Sequence, residues 1–226
     1  MNDIKNENEE TFKQVYSKNA IEFATVAREY CVFAENAAKY SKEDYLRVAS
    51  RLLPLLYMKG ALLPRIELMS DDDLPEIVDY DTYENVRRGI RSRLTSHDDY
   101  LTAFKDDFQY SESPVSASIS EDMADIYQDI RNFCEQYSSG DDAVMNDALS
   151  TVVEKFGEYW GQKACNAMSA IHKALHSGDD LSDEAAAPDN DKWNDDTDDS
   201  PASQDDGMPY FLRQAGMRLV DNKQKK

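Results

Sequence analysis

Apolar side chains recur every three or four residues along most of the first 177 positions. This spacing places them on one face of an α-helix, which has 3.6 residues per turn. The longest such stripe starts at Met145, ends at Leu175 and precedes a potential Gly178 cap, which predicts one helix of roughly 34 residues. No segment alternates long enough to indicate a strand. The pattern predicts an all-α fold, a single bundle of five to six helices with a long C-terminal core helix.

Short polar motifs predict where individual helices begin. Ser41 with Asp44, and Ser118 with Glu121, have the three-residue spacing of a capping box. Pro54 lies inside the second apolar stripe, and its missing N–H predicts a kink or an end of that helix at the preceding residue.

The middle of the chain contains the least regular pattern. Residues 71–81 hold six acids and a proline, which predicts a loop. A third helix is expected to begin at Asp81 or Thr82, and residues 100–108 are expected to form a shorter fourth helix. Residues 111–118 are polar and are interpreted as a connector.

Charge divides the chain into three parts. The whole sequence has 45 acids and 25 bases, a net charge of −20, of which the segment 1–177 carries −13. Residues 178–206 carry −11 and almost no large apolar side chains, which is typical of a disordered linker. Residues 207–226 carry +4 and a short amphipathic pattern, so they are interpreted as a terminal helix that docks on the domain or on a partner.

Composition excludes several classes of protein. No apolar run approaches the ~20 residues of a membrane helix, and the N-terminus shows no signal peptide. Three widely separated cysteines, Cys31, Cys134 and Cys165, fit reduced thiols in a cytoplasmic protein. So acidic a chain is not expected to bind nucleic acid directly, because such binders neutralise phosphates.

Three aspartates form the first candidate site. Asp122, Asp125 and Asp129 fall within a sector only ~60° wide on one predicted helix, beside its apolar stripe. Carboxylates at the edge of a core can hold a divalent cation, or transfer protons if burial raises their pKa. The alternative is that Asp122 stabilises the helix N-terminus while the other two face water or pair with an arginine.

Arginines form the second candidate site. Arg87, Arg88 and Arg91, followed by Arg93, crowd into seven residues of an otherwise acidic chain. Guanidinium groups match phosphate and carboxylate ligands. The alternative is internal pairing with the 71–81 loop or with the face that carries Asp129.

Two further residues complete the candidate binding surface. Trp160 lies between Gly157 and Gly161, where glycine in a helix interior indicates close helix packing or a ligand pocket. His172 lies one turn before His176, a spacing that suits a metal but equally suits the negative end of a helix dipole. No glycine-rich phosphate loop, nucleophile elbow or Glu-x-x-His motif is present, so no cofactor is expected.

Several motifs resemble those of a known family. They are the run Ser-Glu-Asp-Met-Ala-Asp-Ile-Tyr-Gln-Asp at 120–129, Asp99-Tyr100, the Leu-Pro-Leu-Leu-Tyr run at 53–57, and Trp160-Gly161 followed by a stretch ending at His172. The pattern resembles an uncharacterised bacterial family, a domain of unknown function in cytoplasmic all-helical proteins. The resemblance spans residues 22–176 and implies a helical fold with no established activity. Where relatives place a second histidine after the Trp-Gly pair, this chain has Gln162 and Lys163, which argues against a histidine-based site.

These features favour a non-enzymatic cytoplasmic interaction module, and the acidic surface favours a basic protein partner. One alternative is a metal-dependent hydrolase of a phosphorylated small molecule, in which Asp122, Asp125 and Asp129 hold Mg²⁺ or Mn²⁺ and an arginine binds the phosphate. Another is a mimic of nucleic acid that occupies a basic groove. The sequence names neither the partner nor an oligomeric state.

Overall fold

Six α-helices and one β-hairpin make up the part of the chain that the computed structural model describes, residues 14–70, 74–102 and 115–182. The helices are α1 (Lys18–Glu35), α2 (Lys42–Ala61), α3 (Tyr80–Leu94), α4 (Ile119–Tyr137), α5 (Asp142–Lys155) and α6 (Gly161–His176). The strands are β1 (Asp99–Thr102) and β2 (Val115–Ser118). The predicted all-α bundle is confirmed, with the hairpin as a small addition.

Helix α4 lies at the centre of the bundle. It packs against α1, α3, α5 and α6, and twelve of its 19 residues are buried. Its apolar face contributes Ile126, Ile130 and Phe133 to the core, and each such side chain stabilises the fold by about 1.5–3 kcal/mol. The polar part of the same buried surface carries the three aspartates singled out above.

Both predicted capping boxes begin helices as expected. The Ser41 hydroxyl accepts a hydrogen bond from the Asp44 N–H, and the Ser118 hydroxyl accepts one from the Glu121 N–H. Helix α3 begins at Tyr80, slightly earlier than predicted, because the Asp79 carboxylate accepts the Thr82 N–H at 2.8 Å and caps the helix there.

Of the two outcomes predicted at Pro54, a kink or an end of the helix, the end does not occur, because α2 continues through Pro54 to Ala61. Leu53 and Leu56 are fully buried on either side of the proline. The packing of these two side chains outweighs the single hydrogen bond that proline removes.

The prediction of a short helix over residues 100–108 was wrong for residues 100–102. Residues 99–102 form β1, which pairs antiparallel with β2 so that Asp99 lies opposite Ser118 and Thr102 opposite Val115. The second strand replaces the end of the predicted polar connector. Each strand has only four residues, too few for alternation to be visible in the sequence.

The long C-terminal helix is present but is not uniform. Helices α5 and α6 are joined by a π-helical turn over Phe156–Trp160, so residues 142–176 form one continuous rod. Gly178 follows with a φ angle of +85°, a left-handed conformation that suits glycine and confirms it near the C-terminal cap.

The predictions for the C-terminal part of the chain concern residues that the structure does not describe. The basic segment 207–226, and all of the acidic linker 178–206 after residue 182, lie outside the described residues. Among the described helices, none is long and apolar enough to cross a membrane.

Candidate functional site

The three aspartates of α4 are all buried, which the sequence could not establish. Asp122 is 3% exposed, Asp125 9% and Asp129 7%. Buried carboxylates require partners, because an unpaired charge in a protein interior is costly.

Lys163 of α6 is the main partner of Asp122 and Asp125. Its Nζ atom lies 3.3 Å from an Asp122 oxygen and 2.7 Å from an Asp125 oxygen. Tyr100 of β1 donates its hydroxyl to Asp122, and Tyr83 of α3 donates its hydroxyl to Asp125 at 2.8 Å. We call these five side chains the aspartate network. It ties α3, α4, α6 and the hairpin together.

Asp129 has a different partner. The Nζ atom of Lys155, the last residue of α5, lies 2.7 Å from its Oδ1 atom. The Asp129 Oδ2 atom is buried and has no hydrogen-bond partner among the described residues. Asp129 therefore keeps one acceptor that the fold itself does not use.

The π turn brings the two lysines into register with the aspartates. In a regular α-helix, residues eight positions apart point about 80° away from each other. The π turn absorbs one extra residue, which reduces the offset between Lys155 and Lys163 to roughly 20°. Asp122 and Asp129, seven positions apart in α4, differ by the same roughly 20°. Lys155 and Lys163 therefore have the same angular offset as Asp129 and Asp122, and each lysine faces one of these aspartates.

Gly161 is required by the π turn. A Cβ atom at this position would lie 2.3 Å from the Phe156 carbonyl oxygen. At Gly157 the added Cβ would meet nothing within 4 Å. The close contact at Gly161 is thus with Phe156 of the same rod and not with a second helix, and Gly157 shows no close contact at all.

Trp160 belongs to the core. It is fully buried, donates its indole N–H to the Val152 carbonyl at 3.0 Å, and lies against Phe23 and Phe156. Gly60 of α2 makes room for it, since a Cβ there would come within 2.6 Å of the indole ring. Trp160 holds the π turn in place and does not line the acidic cavity described below.

Burial raises the pKa values of Asp122 and Asp129, whereas their charged and hydrogen-bonding partners lower them. Burial raises the pKa of Asp122 above its usual range, although Tyr100 and Lys163 oppose the rise. Burial likewise raises the pKa of Asp129 against the effect of Lys155. For Lys163, burial alone would lower the pKa, but Asp125 and Asp122 raise it overall, so this lysine is charged. Burial and Asp125 raise the pKa of the neighbouring Tyr159 to about 12.

The arrangement differs from the metal site considered above. Within the described ranges, no group of three His, Cys, Asp or Glu side chains is arranged to hold a metal ion. The positions facing Asp122, Asp125 and Asp129 are held by two lysines.

Arg87 and Arg88 pair with Glu84 of their own helix, whereas Arg93 donates to the Ala38 carbonyl at 2.9 Å. Arg87 forms two hydrogen bonds with the Glu84 carboxylate, at 2.8 and 2.9 Å, and Arg88 contacts the same residue. Arg91 lies close enough to Asp98 to oppose the rise in pKa that burial causes there. The alternative of internal pairing applies to Arg87 and Arg88, whose partner is Glu84 one turn away and not Asp129. Residues 71–73 of the acidic loop lie outside the described residues.

His172 does not join the other candidates. It is exposed on α6, and its ring lies 4.5 Å from that of His176. Neither histidine reaches the aspartates.

An acidic cavity of about 530 Å³ adjoins Asp129. It lies between the loop that contains Leu68 and Glu76 and the helices α4 and α5. Five acids and one base line it: Glu76, Asp129, Asp147, Glu154, Glu158 and Lys155. This volume is in the range of small-ligand sites.

Hydrogen bonds hold both walls of the cavity in place. On one side, the Asp147 carboxylate accepts the N–H groups of Met69 and Ser70, at 2.6 and 3.1 Å. On the other, the Asn132 side-chain oxygen accepts the N–H groups of Ile77 and Val78, both at 2.9 Å. These buried side chains of α4 and α5 preorganise the loop around the cavity.

Sequence reasoning missed both lysines and the two tyrosines. One signal was available for the lysines: the stripe advances by four residues three times in succession, from Val152 through Phe156 and Trp160 to Ala164. In a regular helix each step of four residues turns the next side chain by about 40°, so successive steps would carry the stripe away from the core. If the stripe stays buried, the helix must contain an extra residue that compensates for this rotation. Tyr83 carried no comparable signal, and Tyr100 was noticed only as part of the Asp99-Tyr100 motif, without a role.

Comparison with known proteins adds a family but no activity. A search of the curated proteins found no match. The chain is similar to protein BF1032 from Bacteroides fragilis, known from a crystal structure, with 38% sequence identity and a TM-score of 0.66. The match covers 73% of this chain and 97% of that one. The chain belongs to the family described as Domain of unknown function (DUF5063), whose model matches residues 14–177.

Proposed function

We propose that the chain is a non-enzymatic binding module of the bacterial cytoplasm that recognises a basic segment of a partner protein. The observation that carries the proposal is an exposed acidic face around the cavity. It consists of Glu76, Glu154 and Glu158, which line the cavity, and of Glu67, which lines the adjoining groove; none of the four forms an ion pair with another described residue.

The same face contains apolar surface. Leu68 is 54% exposed and Met69 49% exposed, both in the loop that forms one wall of the cavity. Apolar side chains beside unpaired carboxylates suit a segment that is both basic and amphipathic. The three free cysteines support a reducing compartment.

The hydrolase alternative has less support. Lys163 and Lys155 already engage the carboxylates that would hold a metal, and Glu84 engages Arg87 and Arg88. Catalysis at this place would require those pairs to break.

An array of synthetic peptides of equal length, which differ only in net charge, tests the proposal. We expect the labelled full chain to bind basic peptides and not acidic ones, and to bind less tightly as salt rises. Replacing all four acids of the face by glutamine should weaken binding about tenfold. The matched control neutralises Asp81, Asp99, Glu121 and Asp180, which are exposed elsewhere and form no ion pair with a described residue. Equal losses in the two variants, or no binding of basic peptides, would contradict the proposal.

A further inference from the structure

Asp129, which lines the acidic cavity, has one buried oxygen that no described residue uses. The Asp129 side chain is 95% buried, and its Oδ2 atom has no hydrogen-bond partner, whereas its Oδ1 atom accepts from Lys155. A buried carboxylate oxygen without a donor costs free energy, because water no longer solvates it. A donor from a bound molecule would remove that cost.

The remaining lining favours a donor at the end of an apolar stem. Leu74, Phe133 and Val152 line the cavity together with the carboxylates of Glu154 and Glu158. An aliphatic chain can pack against such apolar surface while its charged end reaches the acids.

Geometry favours guanidinium over ammonium. A guanidinium group has five donors in a planar fork and can contact both oxygens of a carboxylate, or two carboxylates at once. An ammonium group is more strongly hydrated and enters a buried site less readily. Lys155 already supplies an ammonium to one oxygen, and its side chain is 40% exposed, so it can move aside without being stranded in the core.

We propose that the acidic cavity binds the guanidinium group of an arginine side chain, with Asp129 as the anchoring carboxylate. Lys155 is then the internal counter-ion that occupies Asp129 until the arginine enters. This inference rests on the proposed function and deepens it, because it makes one arginine the specific feature of the basic partner segment.

The test uses the full chain and N-acetyl-L-arginine methylamide as the probe, with NMR detection of backbone amides. We expect saturable shifts of the Met69 and Ser70 amides, whose N–H groups bond to the cavity residue Asp147. The lysine and citrulline analogues should bind about tenfold more weakly, because neither presents a charged fork.

Asp129→Asn should abolish the preference for arginine, whereas Asp125→Asn, with the same change in charge one turn away, should retain it. Glu154→Gln provides a second cavity variant at an exposed position, and it should weaken binding of the arginine probe. Absence of a saturable shift, or equal binding of the three probes, would overturn the inference. If basic peptides nevertheless bind through the acidic face, the proposed function stands without it; if they do not bind, both are wrong.

Discussion

Two sets of carboxylates lie close together in this protein, and they differ in what neutralises them. In the aspartate network, Lys163 and two tyrosine hydroxyls contact Asp122 and Asp125. Around the acidic cavity, Glu76, Glu154 and Glu158 form no ion pair with described residues, and Lys155 contacts only one oxygen of Asp129. The first set is neutralised by side chains from neighbouring elements of the fold, whereas the second keeps carboxylate oxygens that no described residue engages. Net charge alone does not distinguish these two roles.

Removing Lys163 tests the network most directly. Lys163→Met should lower the free energy of unfolding by about 3–5 kcal/mol at neutral pH, because two buried carboxylates lose their cation. Urea denaturation followed by circular dichroism measures the loss. Lys173→Met, at an exposed position of the same helix, is the control and should change stability by less than about 0.5 kcal/mol. Equal effects at both positions would contradict the assignment.

The cost of Lys163→Met should depend on pH in a defined direction. Burial already raises the pKa of Asp122, and without the lysine it rises further above its value in the unfolded chain, so the folded state binds more protons. Lowering the pH should therefore reduce the deficit relative to the wild type. A deficit that grows as the pH falls would show that the lysine acts in another way.

Changing the π turn should have the next largest effect. Gly161→Ala places a Cβ atom against the Phe156 carbonyl, so the turn must shift and misalign Lys163; we expect a loss of about 2–3 kcal/mol. Gly157→Ala meets open space and should stabilise the helix by roughly 0.5–1 kcal/mol. Thermal and urea denaturation of the pair measures both signs, and a loss in both variants would argue against a specific role for Gly161.

A smaller change should follow the loss of one hydroxyl. Tyr100→Phe leaves Asp122 without one donor and should cost about 1–2 kcal/mol. Tyr80→Phe is the matched control, because Tyr80 is 75% exposed. Urea denaturation compares the two, and equal stability would indicate that Lys163 alone satisfies Asp122.

Replacing Asp129 should produce a small gain in stability, of the same size as that expected for Gly157→Ala. Burial raises the pKa of Asp129, so its charged form destabilises the folded state at neutral pH. Asp129→Asn should therefore raise the free energy of unfolding by roughly 0.5–1 kcal/mol. The gain should disappear in acid, where the wild-type carboxyl is itself protonated. Glu154→Gln is the exposed control, and a loss of stability in Asp129→Asn would instead place Asp129 with the network.

The sequence predicted best the starts of those helices whose capping hydrogen bonds join residues close together in the chain. Ser41 and Ser118 each bond to a residue three positions on, so a capping box contains the whole interaction. The placement of Asp122, Asp125 and Asp129 at the edge of the core also followed from helical periodicity within α4 alone.

The partners of those aspartates depend on information that periodicity does not hold. One extra residue in the π turn rotates everything after Phe156 by about 100° relative to a regular helix, which moves Lys163 to the buried side. Tyr100 reaches Asp122 from a strand whose four residues resembled a helix. The cavity escaped prediction because loop residues such as Leu68 and Glu76 form one of its walls, and their positions depend on hydrogen bonds to distant helices.

The π turn also has a consequence for how this family can change over time. A deletion of one residue between Lys155 and Lys163 would convert the rod to a regular helix in which the two lysines are seven positions apart, and seven positions of a regular helix give the same offset of roughly 20°. Both lysines would then still face their aspartates. An inserted residue that no further bulge absorbs would instead turn one lysine away from its aspartate by about 100°. A gap of one residue at this place in an alignment would therefore identify relatives with a regular helix and an intact network, whereas an insertion would identify relatives that have replaced the network by other contacts.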